Sequence, residues 1–274
     1  MLYKYFGPER VDVMRSLSIR FSPLLSLNDP FECLPLVEAR SAKEMLISEV
    51  IRDFEELWEK TDEDEKTDDN WVLLEKTREN TIANIENKFK ASNTGSEVVA
   101  MLGDNFGILS LSRTEKNILM WSHYAAEGRG FVIGLDENHP FFHQKDARGR
   151  ITKPLPVVYT TVRSTVSPRD ARFYEKFLCE KALEWADEEE ERVFRFLENI
   201  ETRSIGKDQY GQSIVLTHLP KETIQSVFLG YRADTDLMDS VFQAIEQNEI
   251  ECDVYRARIC DNEYRIVFDQ LLRA

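Results

Sequence analysis

Hydrophobic and polar positions change period several times along this chain. "LYKYF" (2–6) alternates apolar and polar residues and is rich in Tyr and Phe, which predicts a short strand. "GPERVDVMRSL" predicts a turn and one short helix, Ile19–Ser22 a second strand, and the "NDP" that follows a tight turn. From Ser41 the spacing becomes helical. "SAKE" places Glu44 three residues after Ser41, a capping box, and Met45, Ile47, Val50, Ile51, Phe54 and Trp58 follow at near-helical intervals. The acidic run "EKTDEDEKTDDN" (59–70) reads as a solvated linker. A second helix from Trp71 to Phe89 carries Leu74, Ile82, Ile85 and Phe89 on one side, and "ASNTGS" ends it. Residues 41–92 therefore predict a helical hairpin inserted between two strands.

Beyond it, "FGILSLS" (106–112) predicts a strand, "EKNILMWSHYAAE" a helix and "GFVIGLDE" another strand. "ITKPLPVVYTT" is a strand interrupted by prolines, which suits a sheet edge. "SPRDARFYEKFLCEKALEWADEEEERVFRFL" starts as a helix, with Ser167 as cap and Pro168 in its first turn. "TIQSVFLG" predicts a strand ending at Gly230, "TDLMDSVFQAIEQNE" an amphipathic helix, and "CDVYRARICDNEYRIVFDQ" two closing strands. The order is mixed rather than alternating. It predicts the α+β class: a mixed, largely antiparallel sheet with flanking helices, one domain over 1–274 with 41–92 as an inserted hairpin subdomain.

Composition narrows the function classes. A chain of 274 residues, 42% hydrophobic and 31% charged, can bury a real core. Its net charge of −15 opposes duplex nucleic-acid binding through a broad basic face, though not a small local basic pocket. Cys33, Cys179, Cys252 and Cys260 form no CxxC pair, and the four histidines form no HExxH, so no structural zinc site is expected. The charged N-terminus has no long apolar stretch, and nothing approaches the roughly 18 apolar residues of a membrane span. A cytoplasmic protein with reduced thiols is the expectation, without a membrane partner.

Three stretches could carry chemistry. In "NILMWSHYAAEGRG", Ser122 and His123 diverge by about a hundred degrees on a helix and cannot form a Ser–His pair. They and the flanking Trp121 and Tyr124 are candidates for binding, against the plainer reading of a half-buried packing helix. In "KALEWADEEEERVF" (181–194), Lys181 and Trp185 are four apart, and Trp185, Glu188 and Arg192 could continue a helical face. If the segment is extended instead, Glu188, Glu190 and Arg192 point to one side, with Glu189, Glu191 and Val193 to the other. Two carboxylates followed by an Arg suit general-base or oxocarbenium-stabilising work; the plainer reading is a solvated acidic helix end. Tyr3 and Tyr5 on the first strand, with Lys4, and Asn28 and Asp29 at the turn, could line the same pocket, or be sheet packing and a turn.

These stretches together resemble a bacterial family, the domain of unknown function numbered 2971. "LYKYF", "NDPFE", "MWSHYA", "EWADEEEER" and "IQSVFLG" occur in its order and approximate spacing, from residue 2 to about 230. The chain departs from it in the long hairpin at 41–92 and in "ADEEEERV", where the family usually has an aromatic or basic residue before the glutamates. A weaker resemblance of layout, to ADP-ribosyltransferase-like enzymes, implies roles. Tyr3 would hold the ligand, Ser122 and Tyr124 (or His123) would wall a nicotinamide pocket, Glu190 would act at C1′, and Glu188 would position an acceptor. It implies an enzyme of phage defence or toxin-like role acting on a nucleotide or on NAD as substrate; no cofactor and no protein partner is indicated. Two alternatives stand beside it: metal-dependent hydrolysis or nuclease action through Asp29, Asp136, Glu188 and Glu190, and a non-catalytic sensor or interaction module.

Overall fold

Alternation and turn chemistry account for most of the elements in the computed structural model, which describes residues 1–34, 36–37, 39–91, 106–145, 152–167, 170, 172–197 and 203–273. The chain forms two compact units. One comprises Met1–Glu32, Leu102–Thr161 and Lys181–Ala274, the other Cys33–Met101 and Val162–Glu180.

The first unit is built on a mixed sheet. Its strands are β1 (Leu2–Phe6), β2 (Ser22–Pro23), β3 (Phe106–Ser112), β4 (Phe131–Leu135), β5 (Leu155–Pro156), β6 (Glu190–Phe196), β7 (Ile224–Leu229), β8 (Asp253–Ile259) and β9 (Ile266–Leu272). They lie in the order β9-β8-β7-β4-β1-β3-β6-β5, with β2 paired to β3. Only β7 and β8 run parallel, joined through the helix Thr235–Asn248; every other pairing is antiparallel. The α+β expectation holds. The crossover helix starts where Asp234 accepts a hydrogen bond from the Leu237 amide (2.8 Å), and it buries Leu237, Val241, Ala244 and Ile245.

Period two divides the sheet into two faces. Leu2 and Phe6 of β1, Leu109 and Leu111 of β3, Ile133 of β4, Val193 of β6 and Val227 of β7 belong to the main core, together with the crossover helix. The opposite face is partly apolar. There Tyr5, Trp121, Val132, Phe228 and Ala257 form a smaller cluster, beneath the helix Ile118–Tyr124. At Ser110 and Ser112 of β3 and Glu190 and Arg192 of β6 this face is polar, and the candidate site lies there.

In the second unit, α1 (Ala39–Lys60) and α2 (Asp68–Ala91) pack on each other, with Trp58 edge-on to Trp71 at 4.9 Å between centroids. The first of these helices begins at Ala39, so Ser41 lies inside its first turn rather than at its cap. The helix expected after Ser167 is regular only over Phe173–Leu178, with Phe173 stacked on Phe177; the Pro168 expected in its first turn lies outside the described residues. Beyond Leu178 the chain turns extended and then 3-10 helical, so the helical alternative left open for 181–194 does not hold. Two helical turns bury Phe173, Phe177 and Leu178; the charged residues that follow are held in a network a continuous helix could not form.

Candidate functional site

The polar patch follows from the alternation in "FGILSLS". Leu109 and Leu111 enter the main core, which leaves Ser110 and Ser112 on the other face. Register sets Ser112 between Tyr3 of β1 and Glu190 of β6, and Ser110 opposite Arg192. Two small side chains stand where a sheet interior would carry large apolar ones, and β1 pairs with β3 only at Tyr3–Ser112. The result is a cavity of about 250 Å³ walled by Tyr3, Lys4, Asn28, Glu32, Tyr124, Lys181, Glu188 and Glu190, with Ser110 and Ser112.

Three local devices deliver its charged groups. The first is the "NDPFE" turn. Asp29 Oδ1 accepts from the Phe31 amide (2.9 Å) and its carbonyl from the Glu32 amide (3.1 Å), so the turn swings Glu32 inward to 6% exposure. The second is a left-handed residue. The 3-10 helix Leu183–Glu188 ends at Glu189, with φ 44° and ψ 49°, and β6 starts at once. This backbone is costly for a residue with a Cβ, by about 1–2 kcal/mol. It lets Glu188, the last helical residue, and Glu190, the first of the strand, both face the cavity. From Glu190 on the segment takes the extended alternative read from its sequence, with Glu190 and Arg192 on one face and Glu191 and Val193 on the other, while Glu188 joins from the end of a 3-10 helix. The third is Asn117, whose side chain caps the helix Ile118–Tyr124 through the Met120 amide (3.0 Å) and aims Tyr124 at the same place.

The charges form one buried network. Lys181 Nζ donates to Glu188 Oε2 (2.6 Å) and Glu190 Oε2 (3.3 Å), and lies 3.3 Å from Glu32 Oε1. Its ammonium also sits over the Trp185 ring, 4.7 Å from the centroid. Arg192, fully buried, grips both oxygens of Glu190 (2.8 and 3.0 Å) and donates to Glu32 Oε1. The Glu190 amide donates to the Tyr159 hydroxyl (2.8 Å). Tyr124 donates to Glu188 Oε1 (2.6 Å) and accepts from Asn28 (3.0 Å).

Protonation states follow from this arrangement. Burial alone would raise the Glu190 carboxyl, but Arg192 and Lys181 beside it hold it down to about 2, so it is ionised at any physiological pH. Burial likewise disfavours the Lys181 ammonium, yet Glu190, Glu32 and Glu188 more than offset that and keep its pKa above the ordinary value. Burial, then the hydrogen bond to Glu188, keeps the Tyr124 phenol neutral by raising its pKa. Half-buried Lys4 donates to the Ser110 carbonyl (2.7 Å); desolvation lowers its pKa to about 8. Glu32 is shifted upward by burial, against the pull of Arg192 and Lys181.

The residues singled out from sequence therefore separate. Tyr3, Tyr5, Asn28, Tyr124, Lys181, Glu188 and Glu190 line the cavity. Arg192 lies beneath it and Trp185 under Lys181. Trp121 is fully buried, edge-on to Tyr5 (5.6 Å) and bonded to the Glu115 carbonyl (2.7 Å), as a brace rather than a wall. Asp29 is buried in the turn, and Ser122 and His123 are exposed and outside the lining. Sequence reasoning passed over Glu32 and Ser110 and Ser112. The serines had a readable signal, polar residues at alternate positions of an otherwise apolar strand. Among the described residues no group of three His, Cys, Asp or Glu side chains is disposed to hold a metal ion, and no helix is long and apolar enough to cross a membrane.

Residues 120–193 match the model of a family described as a protein of unknown function, DUF2971. The resemblance drawn from the motifs holds over that segment. It spans the helix bearing Tyr124, Lys181 and the Glu188–Arg192 stretch, that is, most of the charged half of the site. No curated protein and no solved structure matches the chain.

Proposed function

We propose that the protein is an enzyme acting at the glycosidic carbon of a nucleotide, in the manner of an ADP-ribosyltransferase or NAD glycohydrolase. One observation carries this reading: Glu188 and Glu190 meet at Lys181 in a cavity walled by Tyr3 and Tyr124, with Glu190 ionised. At about 250 Å³ the cavity is below the usual size of a whole-ligand pocket, and suits one ring and its sugar with the rest of the molecule outside.

In this scheme the aromatic walls hold the nicotinamide ring. The bond between C1′ and the ring nitrogen breaks with its electron pair leaving on nicotinamide. The positive charge that develops at C1′ is stabilised by Glu190, which Arg192 and Lys181 keep ionised and fixed. An acceptor O–H or N–H, or water, then forms the new bond to C1′, and its proton passes to Glu188. Tyr124 and Lys181 orient that carboxylate. The test is nicotinamide release from NAD, alone and with cell lysate, beside Glu190→Gln. Turnover in the wild type that falls on the order of a hundredfold or more in the variant supports the scheme; a folded wild type with no turnover in either condition ends it.

A second reading rests on the same network. Both glutamates are already engaged by Lys181 and Arg192, which suits a binding module that takes up a nucleotide without converting it. NAD binding with no nicotinamide release decides for this second reading. Metal-dependent hydrolysis ranks behind both: Asp29 and Asp136 lie outside the cavity lining, and the other two carboxylates are held by cations.

A further inference from the structure

The ion-paired cluster is short of donors, since Lys4, the third cation of the cavity, gives its hydrogen bond to the Ser110 carbonyl. Three carboxylates, Glu32, Glu188 and Glu190, share two cations, Lys181 and Arg192. Of their six oxygens, Glu188 and Glu190 have both of theirs bonded, to Tyr124, Lys181 and Arg192. Glu32 commits only Oε1, to Arg192 and Lys181. Its Oε2 is buried and has no hydrogen-bond partner among the described residues, although the side chain lines the cavity and is 2% exposed. A buried carboxylate oxygen without a donor costs about 1–3 kcal/mol or more, and a fold built for stability alone does not leave one in a side chain beside a cavity.

We propose that Glu32 is a ligand-binding residue of this cavity, and that Oε2 accepts a hydrogen bond from a hydroxyl of a sugar ring. The surroundings select that donor. Glu188 and Glu190 at the side and Glu32 itself line the cavity with carboxylate acceptors, which fits a ligand with O–H donors. Arg192 and Lys181 fix Oε1, so the carboxylate is oriented before the ligand arrives, and a small displacement of the side chains covering Oε2 lets a hydroxyl reach it. The proposal deepens the nucleotide reading, since the ribose would be the ring held, but it stands on a separate residue and a separate bond.

The experiment compares wild type with Glu32→Gln, using NAD and, separately, free D-ribose as probes, with binding followed by NMR and the melting temperature recorded for each protein. The isosteric amide keeps an oxygen for Arg192 and Lys181 and turns an N–H₂ donor toward the cavity. The expected result is an unchanged or higher melting temperature and binding of both probes weaker by roughly tenfold or more. Undiminished binding in the variant overturns the proposal and leaves the nucleotide reading intact. So does a clearly lower melting temperature, which marks Glu32 as structural. If the wild type binds ribose in a Glu32-dependent way but not NAD, the nucleotide reading fails and the role of Glu32 stands. If it binds neither, both fall.

Discussion

Glu190 and Glu191 are neighbours on one strand with opposite surroundings. Glu190 faces the cavity, where Arg192 grips both its oxygens and Lys181 closes the cluster; both cations are almost wholly buried. Glu191 faces the other way and pairs with Arg113 (2.8 Å), whose side chain is 37% exposed and also holds Glu137 (2.6 Å). The residue type and the partner type are the same. The difference lies in the partner: both glutamates are 6% exposed, but Arg192 is fully buried and Arg113 reaches solvent. In the buried cluster each charge depends on the others, because removing one leaves the rest uncompensated in a poor dielectric. In the exposed one, solvent and salt replace whatever is removed. A run of glutamates in sequence therefore describes two environments.

The sharpest break comes at the buried side. Arg192→Leu keeps the volume roughly and strands Glu190 and Glu32 without their guanidinium. The expected cost is about 3–5 kcal/mol, read as a lower urea midpoint, if the variant accumulates folded at all. A loss under about 1 kcal/mol would place Arg192 on a par with Arg113 and end the contrast.

Lys4 sharpens it from another direction, as a cavity cation whose hydrogen bond goes to a backbone carbonyl. Its folded pKa of about 8 lies below the ordinary 10.5, so between these values the unfolded chain binds more protons and stability rises with pH. Subtracting the curve of Lys4→Met from that of the wild type isolates this term from other groups that titrate there. The variant should be more stable near neutral pH, by about 1 kcal/mol once the partial hydration of a half-buried amine is allowed for, and the gap should close above about pH 10. A gap constant across that window would mean that the Lys4 amine is not destabilised by its surroundings.

How much of this was legible follows the same division. Period two in "LYKYF" and "FGILSLS" and the periodicity of "TDLMDSVFQAIEQNE" were enough for β1, β3 and the crossover helix, because burial of one face is what those patterns encode. The pairing of a Glu-x-Glu with an Arg singled out Glu188, Glu190 and Arg192, and all three are in the network. The route by which Glu188 arrives was not legible. It depends on Glu189 in a left-handed conformation, and nothing in four consecutive glutamates marks which one bends. Glu32 escaped for a different reason. In "NDPFE" the turn residues are conspicuous and the glutamate after them reads as solvated, whereas it is the long-range partners Arg192 and Lys181 that hold it inside. Ser122 and His123 attracted attention by residue type, but the seven-residue helix that carries them turns only Met120 and Tyr124 toward the cavity.

The smallest effect tests the exposed side of the comparison. Arg113→Ala removes the guanidinium that bridges Glu191 and Glu137, two carboxylates from different strands and loops of the same unit. Glu191 is itself mostly covered, which argues for some cost; the Arg113 side chain is over a third exposed, which lets water take over the vacated position. Water should dominate, because the carboxylate edge that faced Arg113 becomes the edge that faces solvent. The expected loss is under about 1 kcal/mol at low salt, and it should shrink further in about 1 M salt, where the Debye length is near 3 Å. A loss of several kcal/mol, unchanged by salt, would show that the Glu191 pair behaves as a buried one, and the two faces of β6 would then no longer be distinguished by solvent.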